Sequence, residues 1–452
     1  MNIIIAGCGR VGHTLAEQLS NEGHQITVMD TNPNAVQSVS SACDVIGYVG
    51  DCTSFRSQLE AGIEETDLLI AATDQDEKNM LACLIGRKTG HCQTIARVRS
   101  PQYSDEIGFL KEELGLSMSV NPESAAAHEM QRLIQVPSAL EVDTFAKGRV
   151  NLISLVIPDG SVLDGLKLRD YYPKVKESAL ICVVQRDKDI VIPDGNFVLR
   201  AGDKISVTLP LSSVNAFLNK VGIKAKRIRD VLIAGGGTIS YYLADSLIKA
   251  GLNVKLIEKD EERSRELSEL LPRAMIINGD ATDKSLLLEE SVEDMDAVCA
   301  LMDSDEANIL LALFIRKETE AKMMTRVHRN SYEDMVAEMP VGKIISTKKI
   351  TAEYITRYVR SMQNSLGSDV ETLYHMMDGR VEGLEFNVGP GSRAAGVKLK
   401  DLRIIPNTLI CCISRGKYVI IPGGNDSIEV GDSVIVVTTK KGLNDIDEMI
   451  AG

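Results

Sequence analysis

The chain has 452 residues, room for about three ordinary domains or for a repeated pair of smaller ones. Its 44% apolar and 25% charged content is that of a globular protein and excludes a disordered or fibrous chain. No apolar run approaches the roughly 20 residues of a membrane-spanning helix. A net charge of -14 would repel nucleic acid unless a concentrated basic patch survived, and the nearest, KVGIKAKRIRD (220–230), reads as a linker.

The N-terminus MNIIIAGCGR has no basic region ahead of its apolar run and no small-residue cleavage site after it, so no signal peptide is expected. Five strand-like runs follow in order: IIIAG, QITVMD, DVIGYVG, LLIAAT and QTIARV. Amphipathic stretches separate them, such as VGHTLAEQLSNEG with Val11, Leu15 and Leu19 on one face. This alternation predicts a doubly wound parallel sheet of Rossmann type. After Arg99 comes a variable stretch, then a helix over Pro122–Gln135, capped by Asn121, with proline in its first turn. LISLVI, ALICVVQ, an IPDG turn and KISVTLP then predict a smaller α+β lobe over about 142–220.

The whole pattern then repeats. Residues 3–30 align with 231–258 at an offset of 228, and after one residue of slippage YVGDCT (48–53) matches INGDAT (277–282). TDQDEKNMLACLIGRK (73–88) matches MDSDEANILLALFIRK (302–317), and ARVRS (96–100) matches TRVHR (325–329). Residues 183–210 likewise parallel 412–439. The fold class expected is therefore α/β: two tandem repeats, each a Rossmann-like doubly wound parallel sheet followed by a smaller α+β lobe. The expected boundaries are 1–140, 141–226, 227–366 and 367–452.

Directly after the first strand stands Gly7-x-Gly9-x-x-Gly12, the context in which this spacing carries chemistry. Gly7 permits the tight turn, Gly9 lets the backbone approach a pyrophosphate, and Gly12 lets helix and strand pack closely. Cys8 completes the turn, and the amides of Arg10 and Val11 lie at the positive helix end. Asp30 closes the second strand, where a carboxylate accepts bonds from ribose hydroxyls and repels a 2′-phosphate, so NAD(H) is favoured over NADP(H). A glycine turn that merely packs is the competing reading.

Asp51, Cys52, Thr73 and Asp74 also fall at the carboxyl edge of the sheet. The first two are placed to flank an adenine and the last two to line ribose or phosphate, yet each position also suits a helix N-cap. Arg97 and its counterpart Arg326 end the fifth strands, positions suited to a phosphate or an inter-subunit contact, or to a solvated arginine. In the second repeat the site comprises Gly235, Gly236, Gly237, Thr238 and Ile239, with Ser240 in place of the third glycine, Glu258 as the acid, and Gly279, Asp280 and Asp303 at the edge. A weaker or altered second site is expected.

Nine cysteines, an odd number without a CxxC pair, read as reduced thiols of a cytosolic protein, and no metal site is expected. Cys52 is a packed thiol before it is a redox sensor, since Ala281 takes its place in the second repeat. None of the six histidines recurs in both repeats, and His13 reads as exposed rather than catalytic. A dehydrogenase would need a proton donor or acceptor near its nicotinamide, so no enzyme is expected, with an NAD-dependent oxidoreductase as the alternative. A redox-sensing repressor lacks both a basic surface and a helix-turn-helix.

AGCGRVG, Asp30, VGDCT, ATDQDEKNMLACLIGRK, ARVR and DGxxLxGLKLRD (159–170) together resemble the tandem RCK (KTN) family, over the whole length of the chain. That resemblance implies the regulatory subunit of a bacterial Trk potassium uptake system. It further implies Rossmann lobes that bind NAD(H) and ATP or ADP, a crossover helix (Pro122–Gln135, and Thr351–Met362 in repeat two) that pairs adjacent lobes, and a homo-tetrameric ring. The ring would sit at the inner face of the plasma membrane beneath a TrkH/TrkG-like potassium-translocating subunit. A triphosphate bridging neighbouring lobes, clamped by Arg97 or Arg10, would supply the mechanism.

Overall fold

The computed structural model of the protein describes residues 1–104, 106–136, 139, 141–145, 149–171, 179–210, 213–223, 228–329, 332, 335–336, 339–364, 370–377, 380–443 and 445–451. The expected boundaries at 140, 226–227 and 366–367, and residues 224–227 of the basic linker, lie outside the described residues.

The first lobe runs β1 (Asn2–Ala6), α1 (Arg10–Asn21), β2 (Gln25–Asp30), α2 (Pro33–Ala42), β3 (Ile46–Val49), α3 (Phe55–Glu60), β4 (Leu68–Ala71), α4 (Asp76–Gly90) and β5 (Gln93–Arg97). It continues through α5 (Pro101–Ser104), α6 (Ile107–Leu114) and β6 (Met118–Val120) to α7 (Pro122–Gln135). The sheet is parallel, in the order β3-β2-β1-β4-β5-β6. Helices cover both faces, so β1 buries Ile3, Ile4, Ile5 and Ala6 without alternation. Val11, Leu15 and Leu19 of α1 are buried as the spacing requires.

The sixth strand corrects the expected five. At three residues, MSV is too short for its period to register, and it pairs only through Met118, Ser119 and Val120 with Ile95, Ala96 and Arg97. The variable stretch after Arg99 holds α5 and α6 as well.

The second large lobe repeats the topology as β14-β13-β12-β15-β16-β17, from β12 (Asp230–Ala234), β13 (Asn253–Glu258), β14 (Met275–Asn278), β15 (Ala297–Ala300), β16 (Lys322–Arg326) and β17 (Lys343–Ile345). Its crossover helix spans Thr347–Asn364 and begins a turn earlier than expected. The two large lobes, 1–131 and 229–356, form one compact unit. Each crossover helix lies on the other lobe. Gln131 Nε2 of α7 donates to Ser246 O of the helix Thr238–Lys249 at 3.3 Å, and Thr356 Oγ1 donates to Gln18 Oε1 of α1 at 3.4 Å. Asn121, which caps α7 by accepting from Ser124 N at 2.9 Å, also donates to Tyr242 Oη across the lobes.

The small lobes, 132–228 and 357–452, form the second unit. One is a five-stranded antiparallel sheet in the order β10-β9-β11-β8-β7, the strands being β7 (Glu141–Phe145), β8 (Val150–Val156), β9 (Leu180–Arg186), β10 (Asp189–Val191) and β11 (Lys204–Pro210). A helix, Val214–Lys220, follows it. The other has the order β18-β19-β22-β20-β21, from β18 (Val370–Met376), β19 (Val381–Asn387), β20 (Thr408–Arg415), β21 (Tyr418–Ile420) and β22 (Ser433–Thr438). Phe145, Leu152 and Cys182 of one share a core with Met376, Cys411 and Val437 of the other. In each lobe a buried aspartate receives an arginine: Arg186 Nε donates to Asp203 at 2.7 Å and Arg415 Nε to Asp432 at 2.9 Å.

Candidate functional site

The turn after β1 is set by backbone alone. Gly7 has φ +105°, and a Cβ there would stand 2.8 Å from Ala72 O, so only glycine fits. Gly12 is more constrained still, since its Cβ would reach 1.8 Å from Gly7 O. A Cβ at Gly9 would meet no protein atom within 4 Å, which leaves its outer side open for the approach of a ligand. Gly9 is also the N-cap of α1 and supplies no side-chain cap, so the first-turn N–H groups around Arg10 and Val11 are left for an external anion.

Asp30 stiffens this turn: its Oδ2 accepts from Cys8 N at 2.8 Å and its Oδ1 from Asn32 N at 2.9 Å. Each oxygen keeps a lone pair for a sugar hydroxyl. Burial, with Asp30 close by, pushes the Cys8 thiol up to about 12, and burial with Asp51 raises Cys52 to about 11. Both are packed, protonated thiols.

A cavity of about 600 Å³ opens over the turn. Gly7, Gly9, Arg10, Val11, Asp30, Asp51, Cys52, Thr73, Asp74 and Arg97 all line it, so the expected first-repeat residues are brought together, except Cys8 and Gly12, which build the turn beneath. Asp51 is an Asx turn, its Oδ1 accepting from Thr53 N and Oγ1, bonds that lower its pKa. The N-cap of α3 is instead Ser54, three residues along. Thr73 is held from behind by Asn79, whose Oδ1 accepts from Thr73 N at 2.8 Å and whose Nδ2 donates to Arg97 O at 2.9 Å. That amide ties the ends of β4 and β5 together beneath the cavity, and Asn308 does the same in the second repeat.

Arg326, expected at a phosphate or an inter-subunit contact, lines this same first-repeat cavity with Val327, His328, Ser346, Thr347 and Lys348. Arg97 Nη2 lies 3.6 Å from Glu123 and Arg326 Nη1 lies 3.7 Å from Asp303. Burial lowers both guanidinium pKa values, and the positive charge of Arg10 lowers them further. His328 Nδ1 donates to Asp305 Oδ1 at 2.7 Å, while burial and Arg326 press the His328 pKa below the usual value. Lys78, Arg99, Glu123, His328, Ser346 and Lys348 line the cavity as well, and the last three, from the second repeat, were not legible as site residues because the packing of one repeat on the other is what brings them in. The signal present in the sequence was the second residue of each crossover helix, Glu123 in one and Lys348 in the other. His13 is half-buried beside this cavity rather than exposed.

The second turn is built differently. Gly235 repeats the left-handed φ at +100°, and Gly237 is again an N-cap without a side-chain cap, preceding Thr238 and the buried Ile239. Glu258 does the work of Asp30 with one more methylene: its Oε2 accepts from Gly236 N at 2.5 Å and its Oε1 from Asp260 N at 2.7 Å. Arg263 Nε donates to Gly236 O at 2.9 Å, laying a guanidinium across the turn. Lys259 and Asp280 join at 2.7 Å, and that bond holds Asp280 far below the carboxylate range. Gly279 packs against Leu286, and Asp303 is fully exposed. Ser240 is buried, and its hydroxyl has no partner among the described residues.

Among the described residues no group of three or more His, Cys, Asp or Glu is placed to hold a metal ion, and no helix is long and apolar enough to cross a membrane. Paired Rossmann lobes with open glycine turns, exchanged crossover helices and antiparallel small lobes define a tandem RCK-type fold. The TrkA-N domain matches residues 3–122 and 231–347, and the TrkA-C domain matches 152–222 and 384–451. A Trk system potassium uptake protein TrkA homolog of Archaeoglobus fulgidus is 32% identical, over 99% of this chain and 100% of that one. The chain belongs to the TrkA family. In fold it is similar to the GsuK channel bound to NAD, with a TM-score of 0.64 at 17% identity over 97% of this chain and 77% of that one. It is similar also to GsuK bound to ADP, with a TM-score of 0.50 at 14% identity over 79% and 69%. The proteins it matches in this way are named for potassium uptake and for a channel, not for a catalysed reaction.

Proposed function

We propose that the chain is a nucleotide-sensing regulatory subunit of a potassium uptake system, with its working site in the first large lobe. The observation that carries this reading is the uncapped glycine turn beneath a cavity walled by both repeats. The turn amides and Arg10 take the phosphates, Asp30 takes the ribose, and Asp51, Cys52, Thr73 and Asp74 border the base and sugar. NAD(H), ATP and ADP are the ligands of this reading, and the GsuK structures with NAD and with ADP support it. The name of the Archaeoglobus relative supports a part in potassium uptake, and the reading extends this to a membrane potassium-translocating partner of the TrkH/TrkG kind, reached from the inner face of the membrane by a tetrameric ring. The lobes are taken to follow the boundaries 1–140, 141–226, 227–366 and 367–452.

A ligand shifts such a ring only through its different affinities for two ring shapes. A cavity that both repeats wall converts occupancy into lobe–lobe geometry directly, with Arg97 and Arg10 as the clamp. The test is calorimetric titration with NADH, NAD, ATP and ADP, each followed for consumption, beside nucleotide-dependent potassium flux in Gly9→Val. Binding without turnover, and flux that no longer responds in Gly9→Val, is the expected result. Steady turnover would put the oxidoreductase reading first, and unchanged flux regulation would remove this site as the sensor.

A further inference from the structure

Thr73 stands across the first glycine turn from Asp30. β1 lies between β2 and β4 in the sheet, so Asp30, which ends β2, and Thr73, two residues past β4, flank the turn that β1 feeds. The contacts are close on both sides. A Cβ at Gly7 would come within 2.9 Å of Thr73 N, and Cys8 N of the same turn donates to Asp30 Oδ2.

The protein itself uses most of the polar atoms of Thr73. Its N–H donates to Asn79 Oδ1 at 2.8 Å, and its carbonyl accepts from Asn79 Nδ2 at 3.3 Å and from Arg97 Nη1 at 3.2 Å. Asn79 is fully buried, and backbone partners fix which way its amide points: Oδ1 meets an N–H, and Nδ2 meets the carbonyls of Thr73 and Arg97. Thr73 Oγ1 donates to that same Oδ1 at 2.7 Å. A hydroxyl has one hydrogen, and the alternative acceptor, Gln75 O at 3.3 Å, is also the protein's own. What Thr73 Oγ1 can offer a ligand in the cavity it lines is therefore lone pairs, with Gln75 N a distant donor to them at 3.4 Å.

The second repeat separates this hydroxyl from the scaffold around it. Asn308 Oδ1 accepts from Met302 N at 2.9 Å, and its Nδ2 donates to Met302 O at 2.9 Å and to Arg326 O at 3.1 Å. The clamp is complete there with a methionine in the place of Thr73, so tying the strand ends together does not require the hydroxyl.

We propose that Thr73 Oγ1 is a fixed hydrogen-bond acceptor for a hydroxyl of a second sugar, one attached beyond the phosphates, and that it selects dinucleotides over nucleoside phosphates. The inference rests on the nucleotide reading above and deepens it. With one ribose at Asp30 and the phosphates over the turn, the group that follows the second phosphate emerges on the Thr73 side. A sugar hydroxyl donates to Oγ1 there. An ionised phosphate oxygen carries only lone pairs, gains no bond from it, and depends on Arg10 and Arg97 instead.

The experiment is calorimetry on the full chain with ADP, ATP and ADP-ribose, which carries the second sugar without a nicotinamide, in the wild type, Thr73→Val and Thr73→Ser, with circular dichroism checking that each variant is folded. The wild type is expected to bind ADP-ribose about fivefold or more tighter than ADP, the worth of one ordinary hydrogen bond. Thr73→Val, which keeps the shape and loses the hydroxyl, should abolish that preference while ADP and ATP affinities change less than about twofold. Thr73→Ser should keep most of it. Equal affinity for ADP-ribose and ADP in the wild type, a preference that survives in Thr73→Val, or an equal loss for all three ligands would overturn the sugar contact and leave the nucleotide reading standing. No binding of any of the three probes, nor of NADH, to the wild type would overturn both.

Discussion

The two large lobes share strand order, turn and capping asparagine clamps, yet they have diverged where chemistry would occur. In the first, the acid is short, the turn is open and the third glycine is kept. In the second, a longer acid, Arg263 and the Lys259–Asp280 pair fill the same ground with the lobe's own side chains. The scaffold is common to both copies, but only the first leaves its turn open to a ligand's approach. What the second copy supplies is a wall for its sibling's cavity.

The largest effect should come from importing the second repeat's turn into the first. In Gly12→Ser the new Cβ falls onto Gly7 O, so turn and helix must separate. NADH and ATP titrations should show affinity lowered by about a hundredfold or more, on the order of 3 kcal/mol. Retention of wild-type affinity would mean that the phosphates do not sit on this turn.

Asp30→Ala comes next. It frees Cys8 N and Asn32 N and removes the ribose acceptor, for an expected loss of about tenfold to a hundredfold in nucleotide affinity. Glu258→Ala should leave the same titration unchanged, and equal losses in the two variants would erase the distinction between the lobes. Ser240→Ala has the opposite sign. Deleting a buried hydroxyl without a partner should stabilise the second lobe by about 1 kcal/mol, read as a higher urea midpoint.

The smallest effect is a pH dependence. His328 is pressed toward its neutral form by burial and Arg326, with Arg10 adding to this and Asp305 opposing it. Because its folded pKa is depressed, the cost to the fold grows as pH falls below about 6.5, where the unfolded side chain protonates. A bound polyanion favours the imidazolium, so ATP affinity should rise severalfold between about pH 7.5 and 5.5. His328→Gln should flatten that slope. In the first repeat the equivalent residue is Arg99, so the imidazole is peculiar to the second.

The repeat, the doubly wound sheets and the first glycine turn were legible because each rests on local periodicity and spacing. α7 begins and ends where its proline, asparagine cap and apolar face place it. The strand MSV and its partner KII escaped because three residues carry no period. Arg326 was visible as a strand-end arginine, but its destination was not, since the mutual packing of the crossover helices is a long-range event. The same reason hid Lys348, His328 and Ser346. Cys52 could be read as a packed thiol from Ala281 alone, and its burial agrees.

The pairing of acid and turn residue has a further consequence. Cys8 stands opposite the short Asp30, whereas Gly236 stands opposite Glu258, and a Cβ at position 236 would lie 2.7 Å from Glu258 Oε2. The two positions are thus bound by order as well as by contact. A lineage passing from the aspartate form to the glutamate form crosses smoothly only if the turn residue is first pared to glycine. Lengthening the acid beforehand drives a carboxylate into an occupied space. The order then resists reversal: with the glutamate in place, a side chain regained at position 236 must first displace the Glu258 carboxylate from the turn amide that it accepts from.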